Sequence, residues 1–323
     1  MRYYYVESPY TDPYINLGYE EWMLDNLDLD EGLFYLWQNQ HTVVIGRNQN
    51  AYKECKVKQL IESNGKLARR SSGGGAVYHD LGNLNFTFIL PNEIYDVHRQ
   101  LEVIIDSLRY FGIEATFVGR NDIEVAGAKI SGNAFAKKTT HHLHHGTLLV
   151  HVNMSDLTRY LNVSSIKMQS KGVESVRKRV ANLTEFNSEL TISELKKQLK
   201  NRFEVMYDTQ LIPINMDLEH CKAMIAKYQS EQWQRNVIFQ FDAQLHHKFT
   251  WGEVQAFFTV DQGIVKTAKI FSDSLFPDFV EALETILHDI HYDKESFVGA
   301  IQRLNKENHS MAMELVDYLF NGH

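Results

Sequence analysis

A chain of 323 residues, 44% of them apolar and 23% charged, has the make-up of an ordinary globular protein, and its length suggests two domains. A formal net charge of −8 argues against a nucleic-acid partner, because a general binder needs a basic excess to neutralise phosphates; small anions held by a local cationic cluster remain compatible. No apolar run reaches the roughly 18 residues of a membrane helix, and the N-terminus MRYYYVESPYTDP does not resemble a secretory signal, so no membrane partner is expected. The two cysteines, Cys55 and Cys221, lie far apart and outside any metal-like spacing. They read as free thiols in a reducing compartment, which places the protein in the cytoplasm.

In chain order, Leu17, Met23, Leu24 and Leu27 among acidic residues predict an amphipathic helix beginning near Asn16. The apolar runs Leu33–Trp37 and Thr42–Ile45 read as paired strands. The polar tip Gly46, Arg47, Asn48, Gln49 is either a functional loop or a plain turn.

The stretch from Arg69 to Leu90, RRSSGGGAVYHDLGNLNFTFIL, organises the rest. Gly73, Gly74 and Gly75 remove every Cβ from one short segment, so its backbone can approach a ligand closely. Arg69 and Arg70 add charge, and Ser71 and Ser72 add hydroxyl donors, where a phosphate or carboxylate could sit. A flexible surface turn is the other reading, and the spacing is neither the Walker pattern nor the dinucleotide G-x-G-x-x-G. Leu84, Phe86, Phe88 and Leu90 alternate with Asn85, Thr87 and Ile89, which predicts a strand holding the loop.

Leu101, Ile104, Ile105, Leu108 and Phe111 fall at helical spacing, with Gly112 where a C-terminal cap would stand. Ile123 and Val125 alternate before a small-residue turn delivers Lys129 between Ala128 and Ile130, an amine that either snorkels outward or faces an anion. The histidines of HHLHH, His141 to His145, have no flanking cysteine or carboxylate to complete a metal set and are expected to line the edge of the strand GTLLVHV. Lys171 to Leu183 carries Arg177, Lys178 and Arg179, either a solvated basic turn or a loop that covers an anionic ligand. The pattern changes near Gln240 to His247. From Phe249 a hairpin turns through Asp261, Gln262 and Gly263, and helical spacing follows through Val280, Leu283, Leu287 and Ile290, through Val298, Ile301 and Leu304, and through Leu315 and Leu319. The expected division is therefore 1–246 and 247–323, the second a small α+β unit without a catalytic constellation.

Several separated motifs then stand in one order: RRSSGGGAVYHDLGNLNFTF, GRND followed by KISG, HHGTLL, SVRKRVANLTE, and FTWG with FSDSL. On these the chain resembles the lipoate-protein ligases of the two-domain bacterial type over nearly its whole length. The resemblance implies an α+β fold, with a mixed-sheet catalytic domain of the kind shared with biotin protein ligases and a small α+β C-terminal accessory domain. It also implies the reaction: lipoate (or octanoate) and ATP give lipoyl-AMP and pyrophosphate, then a lysine ε-amine on an acceptor protein takes the acyl group and AMP leaves. The acceptors implied are lipoyl domains of 2-oxo acid dehydrogenase complexes, the glycine-cleavage H protein, or both. Activation is needed because an ionised acid and an amine of pKa about 10.4 merely form a salt at neutral pH.

Carried over residue by residue, the resemblance places ATP at Arg70, Gly75, Ala76, Val77, Tyr78 and Lys129. It places lipoate at Arg69, Arg70, Ser72, Gly73, Gly74, Gly75, Lys129 and His145. Lys129 would be the catalytic residue, an ammonium that lowers the repulsion between two anions and stabilises charge as the mixed anhydride forms and breaks. Arg177 and Arg179 would belong to a loop covering the adenylate. Asp122 would hold Mg2+ against the phosphates, or else make a structural hydrogen bond at the strand entry. A carrier-to-carrier octanoyl or lipoyl transferase on the same scaffold would need a cysteine to hold a thioester, and none lies between Gly65 and Ser170. A non-catalytic lipoate-binding protein is a further reading, against which Lys129 speaks, and a biotin ligase is a third on grounds of fold.

Overall fold

The computed structural model describes residues 1–162, 180–235 and 241–321. It opens with β1 (Arg2–Glu7), α1 (Pro13–Asn26) and β2 (Glu31–Trp37). β1 and β2 pair parallel, Tyr4 opposite Leu33, as a helical crossover between them allows. α1 starts at Pro13, ahead of the expected Asn16, because the Asp12 carboxylate accepts from the Tyr14 N–H and Pro13 occupies the first helical position. Its acidic residues do not form a solvent face: Glu20 is 1% exposed and Glu21 5%.

β3 (Thr42–Ile45) does not pair with β2, contrary to expectation. Both edges of β2 are taken, by β1 and by β6 (Asn83–Pro91), so the chain turns away at His41, φ +43, into a second sheet. There β3 lies between β4 (Lys66–Arg69), parallel, and β5 (Val77–His79), antiparallel, with α2 (Ala51–Glu54) and α3 (Val57–Glu62) on the way.

The remaining strands of the main sheet are β7 (Ala115–Val118), β8 (Asp122–Val125), β9 (Ala128–Lys137), β10 (His141–Leu149) and β11 (Ile212–Pro213). Their order is β11-β1-β2-β6-β10-β9-β8-β7, a mixed sheet. Helices cover both faces: α4 (Val97–Arg109) and α6 (Ile192–Tyr207) on one, α1 and α7 (Leu218–Gln229) on the other, with α5 (Met154–Tyr160) and α8 (Glu231–Arg235) at the periphery. On the first face Phe34, Phe88 and Phe203 stack at centroid distances of 4.9, 5.0 and 5.9 Å, and each buried ring contributes roughly 2 kcal/mol. The predicted alternation along β6 holds, but its polar side, Asn85 and Thr87, is buried too, because α1 lies over it.

The histidines of HHLHH are part of β10 itself and lie inside the sheet, flanked by β6 and β9, not along an edge. His141 bonds the Glu31 carbonyl, His142 stacks on Tyr95 at 4.3 Å, and His144 lies between Gln100 and Asn133.

The C-terminal part is an antiparallel meander, β12 (Ala243–Phe249), β13 (Gly252–Asp261) and β14 (Ile264–Ser272), backed by α9 (Pro277–Ile286), α10 (Lys294–Ile301) and α11 (His309–Asn321). Gln262 and Gly263, both at positive φ, make the two-residue turn. β12 begins at Ala243 and so straddles the expected junction between His246 and His247. Val254, Phe258, Ile270, Leu283, Phe297 and Leu315 form a core distinct from that of the large sheet. Arg47 nevertheless reaches across to Asp278 at 2.9 Å and Glu281 at 2.6 Å, and the Ser272 N–H donates to the Asn48 carbonyl at 2.7 Å. Among the described residues no helix is long and apolar enough to cross a membrane.

Candidate active site

β4 ends at Arg69, and strand alternation sends Arg69 and Arg70 in opposite directions. Arg70 curls the glycine segment around itself. Its Nη2 donates to the carbonyls of Gly73 at 2.6 Å and Gly75 at 2.8 Å, and its Nε donates to Gly73 O and Ser72 Oγ, both at 3.1 Å. In a trans peptide the C=O and N–H point apart, so drawing those two carbonyls inward turns the amides of Gly74 and Ala76 outward. The Gly74 amide is taken by Ser274 O at 2.9 Å, while Ala76 lines a cavity. Burial lowers the Arg70 guanidinium to about 10, which still leaves it cationic at neutral pH.

The three glycines have different jobs. Gly74 takes φ +88 against Arg70, and a Cβ on Gly73 would stand 2.2 Å from the Ser274 carbonyl. Around Gly75 nothing lies within 4 Å of where a Cβ would be. That open face is the approach available to a ligand. Gly73→Ala is therefore expected to displace the C-terminal unit from the loop, read as a new protease-sensitive site near residue 274. Gly75→Ala should keep the fold, with an unchanged melt, and raise KM for ATP.

Lys129, Arg70, Gly74, Gly75, Ala76, Val77 and His145 line this one cavity together with Leu17, Trp37, Val44, His79, Asn121 and Asn133. Its lining combines apolar Leu17, Trp37, Val44 and Val77 with the cations Arg70 and Lys129. The Lys129 Nζ lies 2.6 Å from Asp122 Oδ1, with both side chains about one third exposed. Its main-chain carbonyl accepts from the Ala181 N–H at 3.0 Å, and Asn162 N–H donates to Glu54 O at 2.9 Å. Arg177 and Arg179 lie outside the described residues.

Other expected residues are not brought to the cavity. Arg69 spends its donors on the carbonyls of Arg47 (2.8 Å), Gln49 (2.6 Å), Trp233 (2.8 Å) and Gln234 (2.9 Å), and Trp233 Nε1 donates back to Arg69 O at 2.8 Å. It is 1% exposed and cannot reach a lipoate carboxylate without breaking that set. Tyr78 points the other way, its hydroxyl 2.9 Å from His41 Nδ1. Ser72 lies behind the wall, its Oγ 2.7 Å from His145 Nε2, and Gly73 packs on Ser274 and Leu275. The thiols stand apart as well: burial pushes Cys55 up to about 12 and Cys221 up to about 11, and neither lines the cavity.

Residues that the sequence reading passed over include Trp37, His79, Asn121, Asn133 and, above all, Glu20, which meets His145 Nδ1 at 2.9 Å. A signal was present for Glu20: positions 17, 20, 21 and 24 form one helical stripe, and an acid between Leu17 and Leu24 on that stripe is a buried acid.

His79 and His144 are buried, and that burial, joined at His79 by the neighbouring Arg70, lowers both to about 3. The native state therefore refuses protons that the unfolded chain accepts below its ordinary histidine value of about 6.5. Stability from this source is complete above that pH and falls, by roughly 1.4 kcal/mol per pH unit for each histidine, as pH drops towards 3. Urea midpoints measured at pH 7.5 and pH 5 should separate accordingly; equal midpoints would contradict neutral burial.

Residues 12–204 match a family model for the lipoyl protein ligase A/B catalytic domain, and residues 239–319 one for the bacterial lipoate protein ligase C-terminus. Lipoate-protein ligase A of Psychrobacter cryohalolentis is 38% identical over 328 residues, covering 98% of this chain and 97% of that protein. Among solved structures, P. falciparum LipL1 in complex with lipoate is similar at a TM-score of 0.88 and 30% identity, over 99% of both chains. A bipartite lipoate protein ligase from Thermoplasma acidophilum, studied with its lipoyl domain, gives 0.65 at 28% identity over 74% of this chain and 97% of that one. A lipoate-protein ligase A bound with ATP gives 0.63 at 26% identity over 73% and 99%.

Proposed function

This chain belongs to the lipoate-protein ligase A family, and from that premise we propose how its own residues carry the reaction. It is an ATP-dependent ligase that attaches lipoate to protein. The lipoate carboxylate attacks the α-phosphorus of ATP, pyrophosphate leaves, and the acceptor lysine amine then displaces AMP to form an amide. The observation that carries the assignment of roles is the single cavity joining apolar walls to Lys129 and the open face of Gly75.

The acyl chain lies against Leu17, Trp37 and Val77, with His145 at its side. Its carboxyl end and the nucleotide meet at Lys129, whose ammonium stabilises the charge that builds as the anhydride forms. Gly75, Ala76 and Val77 pass along the phosphates, with Arg70 holding the segment in shape from behind. The segment containing Arg177 and Arg179 closes over the adenylate and excludes water. Asp122 would hold a magnesium ion, which when bound neutralises phosphate charge. A hard divalent ion bound by one carboxylate would draw its remaining ligands from substrate phosphates and water. Acceptors are lipoyl domains of 2-oxo acid dehydrogenase complexes or the glycine-cleavage H protein, in a cytoplasmic setting that keeps both thiols reduced. The unit beginning at β12 is the accessory domain, so the junction precedes Ala243.

A carrier-to-carrier transferase is disfavoured because both thiols are buried away from the cavity and held in the neutral form. Lipoate-dependent exchange of labelled pyrophosphate into ATP decides the matter. Its absence beside active ATP-independent transfer between carriers would overturn the ligase assignment.

A further inference from the structure

Behind the cavity wall three buried residues that do not line it, Thr87, Glu20 and Ser72, join three that do, Trp37, His145 and Arg70. Trp37 Nε1 donates to Thr87 Oγ1 at 3.0 Å, and Thr87 Oγ1 lies 2.6 Å from Glu20 Oε1. On the other side Arg70 Nε donates to Ser72 Oγ at 3.1 Å, Ser72 Oγ lies 2.7 Å from His145 Nε2, and His145 Nδ1 lies 2.9 and 3.0 Å from the two Glu20 oxygens.

The outer donors and the central carboxylate set the directions for a neutral His145 ring. Indole and guanidinium can only donate. Thr87, accepting from Trp37, passes its own hydrogen to Glu20. Glu20, as a carboxylate, can only accept, so the His145 ring carries a proton on Nδ1 and gives it to Glu20; a neutral ring then accepts at Nε2 from the Ser72 hydroxyl, which itself accepts from Arg70. Both arms drain into one carboxylate.

We propose that Glu20 is a positioning residue for adenylate formation. By accepting from both arms it fixes the His145 tautomer and holds the acyl wall at Trp37 in register with the glycine segment at Arg70. The inference rests on the ligase reading given above for its functional consequence, while its structural content stands alone. The order Ser72–His145–Glu20 is also that of a hydrolytic triad. Here, though, the serine hydroxyl is wholly buried and already accepts from Arg70, so it braces the loop and does not attack substrate.

Glu20→Gln keeps the shape and removes one acceptor. The amide nitrogen must then face an arm; facing His145, it forces the proton to Nε2, and Ser72 is left with two donors and no acceptor for its hydrogen. Long-range nitrogen–proton NMR on histidine-labelled full-length protein reads this directly. The wild type should show His145 as the Nδ1–H tautomer at neutral pH. Glu20→Gln should convert it to Nε2–H, with pyrophosphate exchange slowed about 10- to 100-fold, the loss of one charge-assisted hydrogen bond. A wild-type ring protonated on Nε2, or an acylated Ser72 detected by mass, would overturn the proposal whether or not the variant folds. Wild-type exchange measured in the same samples tests the ligase reading separately.

Discussion

Lys129→Ala should abolish measurable lipoyl-AMP formation, a fall of at least about 100- to 1,000-fold, with the fold retained. Removing one preorganised donor at the point of charge development costs a reaction about 3–4 kcal/mol of transition-state stabilisation. The only described side-chain partner lost is Asp122, in an ion pair whose members are 32% and 33% exposed, and such a pair contributes roughly 0–1 kcal/mol. The strand itself is held by main-chain bonds that alanine keeps. Activity and stability should therefore separate: single-turnover detection of lipoyl-AMP drops to background while the thermal melt moves by a few degrees at most. Normal adenylate formation in the variant would return Lys129 to a structural role.

Arg69→Lys should do the reverse. Guanidinium satisfies main-chain carbonyls drawn from the loop after β3 and from α8. A lysine offers three donors from a single point and cannot span them. Two or more buried carbonyls then lose their partners, each at about 1–3 kcal/mol, so urea unfolding should show a loss on the order of 3 kcal/mol. KM for lipoate, measured where the variant remains folded, should stay near the wild-type value. A selective rise in KM with unchanged unfolding would instead make Arg69 a lipoate ligand.

These two residues mark where sequence was informative and where it was not. Local periodicity located β6, α4 and the C-terminal hairpin, because side-chain alternation and turn chemistry are properties of neighbouring residues. Partner choice is not local. Thr42–Ile45 is recognisable as a strand, yet that it pairs with β4 and β5 depends on β1 and β6 having filled both edges of β2. Arg69 and Arg70 look equivalent in a row of letters, and only the strand direction at the end of β4 sends one to the cavity and the other to the carbonyls of α8. Glu20 was legible in part. The helical stripe marks it as a buried acid, but its partners are not local: Thr87 and His145, distant in sequence, reach it only in the fold. The glycine run drew attention correctly, but each glycine answers to a separate constraint: Gly73 to the C-terminal unit, Gly74 to its φ, and Gly75 to the ligand side.

The central claim is that lipoate's carboxyl group and the nucleotide are brought together at the amine of Lys129. A crystal structure with a non-hydrolysable lipoyl-adenylate analogue tests it most directly. The acyl–phosphate linkage is expected within about 3.2 Å of the Lys129 Nζ, the aliphatic chain along Trp37 and Leu17, and the phosphate beside Gly75. An analogue bound with its linkage remote from that amine, or with its chain outside the cavity, would contradict it.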